Sequence, residues 1–387
     1  MNILYITHCD PRKTDNGSAQ RTHLLWSALR KKGTVYTLFA AGRFAPSVDD
    51  ETEKIKSFVF TPGGWLSVRL YALALRIFAP AEWPFRLFSI KGKIPWKDVA
   101  FDCVVVRYLN GVARSQAWKL GPTYVDIDDL PIESYNTITR KRWPKLLGWL
   151  GAQVVSWWQG WLLRKCRGSW IASGEQVSFV EKYCPCVALP NLAMPASPEY
   201  RVDGPQKCQL MTVGLMSYAP NYEGVDWFVD NVWPLVRARC PNMTYVVCGG
   251  GVSSERKLKW SSVTGVEVRG FVKDVDPIYQ ESLGVVTPIM SGAGTCIKVI
   301  EALTRGRLVF ANRFAVRGLS EQVVRDCRIS VAETAQSLAD MIVGWIHEDV
   351  AARVSEQSRV EAAAKMFSDT NTVLRLIEKL MSKVRSC

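Results

Sequence analysis

The sequence predicts an α/β protein with two doubly wound parallel-sheet domains that face each other across a cleft. The chain has 387 residues, which is more than one hydrophobic core usually supports. Short apolar runs alternate with amphipathic helical stretches in both halves of the chain, as in βαβ units. Several prolines between positions 190 and 205 mark the change from one series to the next. We therefore predict a first domain at 1–195, a second at 205–365, and a C-terminal helix at 366–387 that either ends the second domain or crosses back to the first.

The first domain begins with a strand, a loop and a helix. Residues 3–7 form the predicted strand, which ends at His8, and residues 20–32 form the helix. The loop between them contains Gly17 and Ser18 and lies at the carboxyl end of the strand, where such sheets bind ligands. Arg21, just inside the helix, either contacts an anion there or lies solvated on the surface. His8 is either a structural loop histidine or a part of the same site.

Three carboxylates follow another buried strand of this domain. The strand is predicted at 123–127, and Asp126, Asp128 and Asp129 lie at its end. Carboxylates at this edge suit a metal ion, substrate hydroxyls or the cap of the next helix. The residues alone leave all three roles open.

The net charge of +13 is concentrated in two stretches of the first domain. Residues 62–97 contain six Lys or Arg and one Glu, and residues 140–167 contain seven Lys or Arg and no acid. The rest of the chain is close to neutral. Basic patches of this kind attract nucleic acid, anionic lipid or an acidic substrate.

The second basic stretch contains a tryptophan-rich helix. One helical face is predicted to carry Trp143, Leu147, Leu150, Val154, Trp157, Trp158 and Trp161. The uncharged run 146–163 is diluted by glycine and polar residues, which makes it marginal for crossing a bilayer. Flanking cations suit a helix in the interface of an anionic membrane, and a buried helix of the domain is the alternative. Residues 62–97 have the same character, which favours membrane contact over nucleic acid, and the sequence contains no nucleic-acid-binding motif.

Glycine-bearing turns follow successive predicted strands of the second domain. They contain Gly214, the pair Gly249 and Gly250, and the run Arg269-Gly270-Phe271. Glycine lets the backbone approach a ligand closely, and the carboxyl edge of such a sheet is where ligands bind. Each turn alone is a weak indication of a phosphate site.

The turn richest in small residues is Ser291-Gly292-Ala293-Gly294-Thr295-Cys296. It follows a buried strand and precedes a helix for which Thr295 is the predicted N-cap. A helix N-terminus lined by small residues suits a phosphate. Lys298 and Glu301 share one face of this helix and suit the diphosphate and the hydroxyls of a nucleotide. An ordinary strand–turn–helix with a solvated Lys–Glu pair is the alternative.

The cysteines bear on the cellular compartment. Eleven cysteines are scattered without the spacing of a zinc site, and no basic-then-apolar leader precedes the first strand. These features predict a reduced, cytosolic protein without a metal site.

Taken together, the motifs resemble those of GT-B-fold glycosyltransferases, and those of the second domain resemble one branch of glycosyltransferase family 4. The resemblance is carried by residues 2–7 with Gly17 and Arg21, Leu189-Pro190-Asn191, Val213-Gly214, Pro220-Asn221, Trp227-Phe228, Val232-Trp233-Pro234, residues 270–274 and residues 292–302. It covers nearly the whole chain. It implies a GT-B fold and a retaining, metal-independent sugar transfer from a nucleotide diphosphate sugar, with no cofactor.

The resemblance also implies roles for individual residues. Glu301 holds the ribose hydroxyls, the main chain around Arg269, Gly270 and Phe271 contacts the base, and Lys298 supplies a cation to the phosphates. The turn Gly292-Ala293-Gly294-Thr295 faces the sugar and the phosphates. The first domain supplies the acceptor and cleft residues, which we expect to be His8, Gly17, Ser18, Arg21, Asp126, Asp128 and Asp129.

Several positions depart from the pattern of many such enzymes. Leu215 stands where they have Arg, Glu223 lies near a usual Lys, Gly292 or Ala293 occupies a usual Glu position, and Asn16 replaces one glycine of a Gly-Gly pair. We expect a hexosyltransferase, cytoplasmic and peripherally bound to the inner face of the plasma membrane. Its acceptor is expected to be lipid-linked or a saccharide, in bacterial surface polysaccharide or glycolipid synthesis. A catalytically weak nucleotide-binding scaffold subunit and a nucleotide-sugar epimerase are the alternatives.

Overall fold

The computed structural model describes residues 1–14, 16–40, 47–58, 77–78, 94–96, 98–203, 207–291 and 295–385. It divides into two compact units, Met1–Pro190 with Thr370–Cys387, and Asn191–Asp369. The first division therefore falls at Pro190, where we expected 195. The predicted membrane segment 62–97, apart from residues 77–78 and 94–96, and the turn residues 292–294 lie outside the described residues.

The first unit is built on a largely parallel sheet. Its strands are β1 Asn2–Thr7, β2 Thr34–Ala40, β3 Asp49–Asp50, β4 Ile55–Phe58, β5 Cys103–Arg107, β6 Thr123–Ile127, β7 Gly168–Ile171 and β8 Cys186–Ala188. Their order is β3-β4-β2-β1-β5-β6-β7-β8, and β3 pairs with β4 antiparallel at one edge. β5 and β6 are buried along their whole length, as expected for central strands of a sheet covered on both faces.

Five helices follow these strands in the first part of the chain. They are α1 Gly17–Arg30, α2 Leu109–Ser115, α3 Pro131–Ser134, α4 Lys145–Leu163 and α5 Val177–Val180. α1 begins before the predicted residue 20, because the Asn16 side chain accepts the Ala19 N–H at 3.0 Å and caps the helix. Gly17 and Ser18 therefore lie in the first turn of a helix and not in a loop.

The second unit is a doubly wound parallel sheet. Its strands are β9 Gln209–Val213, β10 Thr244–Cys248, β11 Val266–Gly270, β12 Gly284–Thr287, β13 Leu308–Asn312 and β14 Ser330–Ala332, in the order β11-β10-β9-β12-β13-β14. Its helices are α6 Ala219–Trp227, α7 Trp233–Arg239, α8 Ser254–Ser261, α9 Asp276–Glu281, α10 Ile297–Thr304, α11 Glu321–Asp326, α12 Ala335–Ile346 and α13 Val350–Ala364. The strand order reverses direction between β9 and β12, and such a switch point opens a crevice at the carboxyl edge.

The last helix, α14 Thr370–Arg385, belongs to the first unit. It packs on α1, β7 and β8. The Trp170 indole N–H donates to the Leu376 carbonyl at 3.2 Å, and Gly168 leaves room for Leu380. The first unit is therefore assembled from two separate parts of the chain.

The tryptophan-rich helix α4 has one buried face and one exposed face. The buried residues are Gly148, Gly151, Ala152, Val155, Trp158, Gln159, Gly160, Leu162 and Leu163. The exposed large side chains are Leu146, Leu147, Trp149, Leu150 and Trp157, and Trp143 just before the helix is also exposed. The apolar face predicted from the sequence is thus divided, because Trp158 is in the core and Trp157 is at the surface. None of the helices in the described ranges is long and apolar enough to cross a membrane.

Candidate functional site

The first group of candidate residues lies at the carboxyl edge of the second unit's sheet. The turns after β11, β10, β9 and β12 lie side by side there, because these strands are neighbours in that order. The Met216 N–H donates to the Gly250 carbonyl at 2.8 Å. The Gly249 N–H donates to the Gly270 carbonyl at 2.7 Å. The glycine turns predicted from the sequence therefore form one connected surface.

Gly249 is required by the backbone of this surface. Its φ is +139°, and a Cβ built there would lie 1.6 Å from the Gly214 carbonyl oxygen. Residues with a side chain rarely adopt such a φ. At Gly250 the nearest atom to a built Cβ is the Phe271 Cβ, at 3.8 Å, which is ordinary contact. Close packing of the turns thus depends on glycine at 249 and not at 250.

Lys298 crosses the turn that follows β9. A Cβ at Gly214 would lie 2.5 Å from the Lys298 Cε, so the glycine makes room for the lysine side chain. Asn221 holds the same turn, since its Nδ2 donates to the Leu215 carbonyl at 2.7 Å. Within the described part of the chain, the Lys298 ammonium makes no hydrogen bond or ion pair, and its side chain is half-buried. A cation without a protein partner at this edge suits an anionic ligand.

The N-terminus of α10 lies on the same turn. Cys296 is the N-cap residue, and its side chain makes no capping hydrogen bond. We expected Thr295 in this position, but the Thr295 hydroxyl packs against Gly318 and its carbonyl accepts from the Asn191 Nδ2 at 3.3 Å. An uncapped first turn keeps backbone N–H groups available for a phosphate.

Glu301 is held from two sides. The Tyr279 hydroxyl donates to the Glu301 Oε2 at 3.3 Å, and the Arg305 guanidinium lies 4.0 Å from the Oε1. Arg305 is itself fixed by Asp276, whose Oδ1 lies 2.6 Å from the Arg305 Nε. Burial, and then the Glu301 carboxylate, raise the pKa of Tyr279, so the phenol stays protonated and donates. These contacts leave Glu301 oriented and only partly occupied.

Exposed apolar side chains surround this surface. They belong to Leu215, Tyr218, Phe271 and Met290, and Phe271 is 76% exposed. Arg269 forms an ion pair with Glu267 at 2.7 Å, so its guanidinium is partly used within β11. An exposed aromatic ring next to a glycine turn suits contact with a planar ligand group.

The second group of candidate residues includes a buried ionic cluster at the carboxyl edge of the first unit's sheet. Arg21 contacts the Asp126 Oδ1 at 2.6 Å and the Asp128 Oδ1 at 2.9 Å. Arg107, at the end of β5, pairs with Asp126 and contacts the Asp128 Oδ2 at 2.9 Å. Burial alone would raise the pKa of Asp128, but Arg107 and Arg21 together lower it well below its usual range. Two guanidiniums and two carboxylates thus neutralise one another.

Arg21 is therefore neither a surface residue nor an anion site at a loop, the two roles that the sequence suggested. It is fully buried, and it also donates to the carbonyls of Leu189 and Pro190 at 2.9 Å and 2.6 Å. This links the Leu189-Pro190-Asn191 motif to α1. Asp126 and Asp128 are held by cations, and no cluster of possible metal ligands occurs in the described ranges. Asp129 is half-buried just beyond the cluster.

A hydrogen-bonded chain of side chains leads from this cluster to His8. The Tyr108 hydroxyl donates to the Asp128 Oδ2 at 2.7 Å, and the Ser18 Oγ lies 2.5 Å from the Tyr108 hydroxyl and 3.0 Å from the His8 Nε2. Tyr108 has φ +66°, a strained value for a residue with a side chain, and such strain is concentrated at functional sites. Burial, with a contribution from Arg107, lowers the pKa of His8 to about 4. The imidazole is therefore neutral at neutral pH.

Sequence reasoning missed several of these residues. Arg305 was detectable, because it lies four residues after Glu301 on the same helix. Tyr279, Arg107 and Tyr108 carried no local signal, since their partners are distant in the chain. The roles predicted for the site residues themselves stay predictions.

Comparison with known families and proteins agrees with this architecture. Residues 207–348, which include Lys298 and Glu301, match the family model described as glycosyl transferases group 1. A Klebsiella pneumoniae protein described as an uncharacterized 44.6 kDa protein in the cps region is 23% identical over 118 residues. That match covers 29% of this chain and 30% of the relative, so the chain spans about a third of the length of that protein.

Solved glycosyltransferase structures share the fold. Anabaena HepE in complex with UDP and glucose has a TM-score of 0.62 at 15% identity, covering 99% of this chain and 100% of HepE. A Burkholderia multivorans trehalose 6-phosphate synthase has a TM-score of 0.65 at 10% identity, covering 100% of this chain and 96% of the synthase. TarM has a TM-score of 0.56 at 13% identity, covering 75% of this chain and 56% of TarM. The fold is GT-B, as predicted.

Proposed function

We propose that this chain is a glycosyltransferase that moves a hexose from a nucleotide diphosphate sugar to a saccharide or lipid-linked acceptor. The observation that carries the proposal is the pairing of Lys298, a cation without a protein partner, with the oriented Glu301 on one helix at the switch point of the second sheet. Both residues lie within the part that matches glycosyl transferases group 1. HepE, which shares the fold, is described in complex with UDP-glucose.

Each residue has a chemical task in this proposal. Negative charge develops on the diphosphate as the sugar leaves, and preorganised charges aimed at that group lower the barrier. Lys298 and the uncapped N-terminus of α10 supply the positive potential. Glu301, oriented by Tyr279 and Arg305, accepts the ribose hydroxyls. We propose transfer with retention, as the resemblance to family 4 implies.

The test is donor hydrolysis and transfer across a panel of UDP- and GDP-sugars. Lys298→Ala should lower kcat by about 10²–10³, the usual cost of removing one stabilising group from a transition state. Glu301→Gln should mainly raise KM for the donor, because ribose binding is the same in ground and transition states. Lys257→Ala, at an exposed lysine on α8, is the matched control and should behave as wild type. Unchanged turnover in both site variants would contradict the proposal.

The same experiment separates the alternatives. Leu215, exposed where an arginine would grip phosphate, is the observation that favours a scaffold subunit. Calorimetry with UDP would then show binding without turnover of any donor. A nucleotide-sugar epimerase would convert the donor sugar with no acceptor present and release no free sugar.

We also propose that the first unit binds the surface of an anionic membrane through α4, at the cytoplasmic face of the plasma membrane. The exposed apolar residues of α4 begin directly after the exposed cations Arg140, Lys141 and Arg142, and Lys145 is exposed as well. A helix with bulky apolar side chains on one exposed face and cations at its end suits the lipid interface. The relative in a cps region supports a role in surface polysaccharide synthesis.

A further inference from the structure

A cavity of about 150 Å³ lies at the carboxyl edge of the first unit's sheet. Its lining includes Thr7, His8, Arg107, Tyr108, Asn110 and Arg114. At about 30 Å³ for each water molecule, the space holds roughly five waters, which is close to the size of one sugar ring. No carboxylate is among its described lining residues.

The protons on the chain from His8 to Asp128 can be placed by elimination. Asp128 is a carboxylate and can only accept, so the proton between it and the Tyr108 hydroxyl comes from the tyrosine. The Ser18 hydroxyl must then donate to the Tyr108 oxygen, because that contact of 2.5 Å also needs a proton.

Since Ser18 has used its only proton, the remaining contact must be donated by His8. The 3.0 Å bond between Ser18 Oγ and His8 Nε2 therefore requires a proton on Nε2. Arg107 also donates to both hydroxyls, at 3.4 Å to Ser18 and 3.3 Å to Tyr108. Each hydroxyl then donates one hydrogen bond and accepts two, which is its full capacity. The chain of donors runs in one direction, from the imidazole to the carboxylate.

The neutral imidazole consequently has its lone pair on Nδ1. Within the described ranges this nitrogen has no hydrogen-bond partner. The neighbouring Thr7 hydroxyl is also without a partner, although Thr7 is only 4% exposed. A buried hydroxyl without a partner is costly, and such groups in native proteins usually await a ligand or water. His8 and Thr7 both line the cavity.

We propose that this cavity is the acceptor subsite and binds an uncharged sugar, with the His8 Nδ1 accepting one of its hydroxyl protons and the Thr7 hydroxyl bonding a second group. The proposal rests on the proposed function for the identity of the ligand, and it adds the residues and the hydrogen-bond polarity. Ser18 and Tyr108 are positioning residues, because they fix which ring nitrogen carries the proton.

Charges around the imidazole keep it in this form over the physiological range. Arg107 on β5 disfavours the imidazolium, Asp128 after β6 favours it, and burial outweighs both, so the pKa of His8 is about 4. Tyr108 contributes a neutral ring, since burial raises its pKa. Arg114 on α2 adds a further cation to the lining. His8 therefore acts as a hydrogen-bond acceptor and not as a charged group.

Nitrogen-15 NMR of the full chain tests the tautomer directly. The chain has three histidines, so His8→Gln assigns the signal by difference. We expect a proton on Nε2, a lone pair on Nδ1 and no titration between pH 5 and about 8. Ser18→Ala and Tyr108→Phe should both release the ring into a mixture of tautomers. A proton on Nδ1 in the wild type, or the same tautomer in both variants, would overturn the assignment.

A second measurement tests the ligand class. Methyl hexopyranosides are titrated against the His8 signal, with inorganic phosphate as the comparison. We expect a saturable shift of the Nδ1 resonance with at least one glycoside, weakened at least tenfold in Ser18→Ala. A response to phosphate alone, or to no glycoside, would refute a sugar subsite. Donor hydrolysis by wild type and Lys298→Ala does not depend on His8, so failure here is distinguishable from failure of the proposed function.

Discussion

The buried ionic cluster makes a quantitative prediction about stability. In Asp128→Asn, one side-chain oxygen is replaced by an NH₂ group of the same size. The Oδ1 contacts Arg21 and Arg107, and the Oδ2 contacts Arg107 and Tyr108. Either orientation of the amide therefore places a donor against a guanidinium donor. The variant also leaves a net positive charge in the core of the first unit.

Removing one partner of a buried ion pair costs about 3–5 kcal/mol. The first unit has on the order of 200 residues, a size at which 1 kcal/mol shifts Tm by about 2–4 °C, so we expect Tm of this unit to fall by roughly 6–20 °C. Calorimetry and circular dichroism measure the shift. Asp340→Asn is the matched control, because Asp340 forms an exposed ion pair with Arg239 and should leave Tm unchanged.

The pH dependence has a definite sign. The pKa of Asp128 is lower in the folded than in the unfolded protein, so its contribution is complete above the unfolded value of about 3.9 and is lost as pH falls towards the folded value. The difference between wild type and Asp128→Asn should therefore be constant from pH 8 to about 5 and shrink below about pH 4. A Tm loss no larger than that of Asp340→Asn, or one independent of pH down to 3, would refute this account.

Two further predictions concern the second unit and the membrane face. Gly249→Ala should abolish UDP binding measured by calorimetry and lower Tm, because its Cβ would meet the Gly214 carbonyl, whereas Gly250→Ala should bind UDP within about a factor of three of wild type; equal behaviour of the two variants would contradict the role of the turn. Wild type should float with vesicles containing anionic lipid, and the double variant Trp149→Glu with Trp157→Glu should stay in the dense fraction, while flotation of both would place the lipid contact elsewhere.

How far the sequence predicted the fold depended on the range of the signal. The glycine turns, the strand–helix alternation and the Lys298–Glu301 face are local patterns, and the structure contains them. The partners of Glu301 and Arg21 were not predictable, because Tyr279 and Asp126 reach them only through the sheet order. The distance along the chain from Arg21 to Asp126 is more than a hundred residues, which no periodicity spans.

Helix α4 shows a different limit of pattern reading. Its glycines were interpreted as diluting an apolar helix, but they form the packing face. A Cβ at Gly151 would lie 2.0 Å from the Tyr135 hydroxyl, and one at Gly160 would lie 2.6 Å from the Tyr183 ring. Small residues let the helix approach the core closely, so the bulky side chains on the opposite face stay outside. An average over hydrophobicity cannot distinguish a residue that is apolar and exposed from one that is small and in contact.

The return of α14 to the first unit has a consequence for biosynthesis. A ribosome delivers the chain from its N-terminus, so Asn191–Asp369 emerges complete before Thr370–Arg385 is made. Until then Trp170 lacks the carbonyl of Leu376, and the surface on β7 and β8 that α14 covers is open to water. The second unit, though it comes later in the sequence, is therefore the first that can finish folding. The nascent first unit must wait with an uncovered apolar flank, which makes that interval the point at which chaperone binding or misassembly is decided.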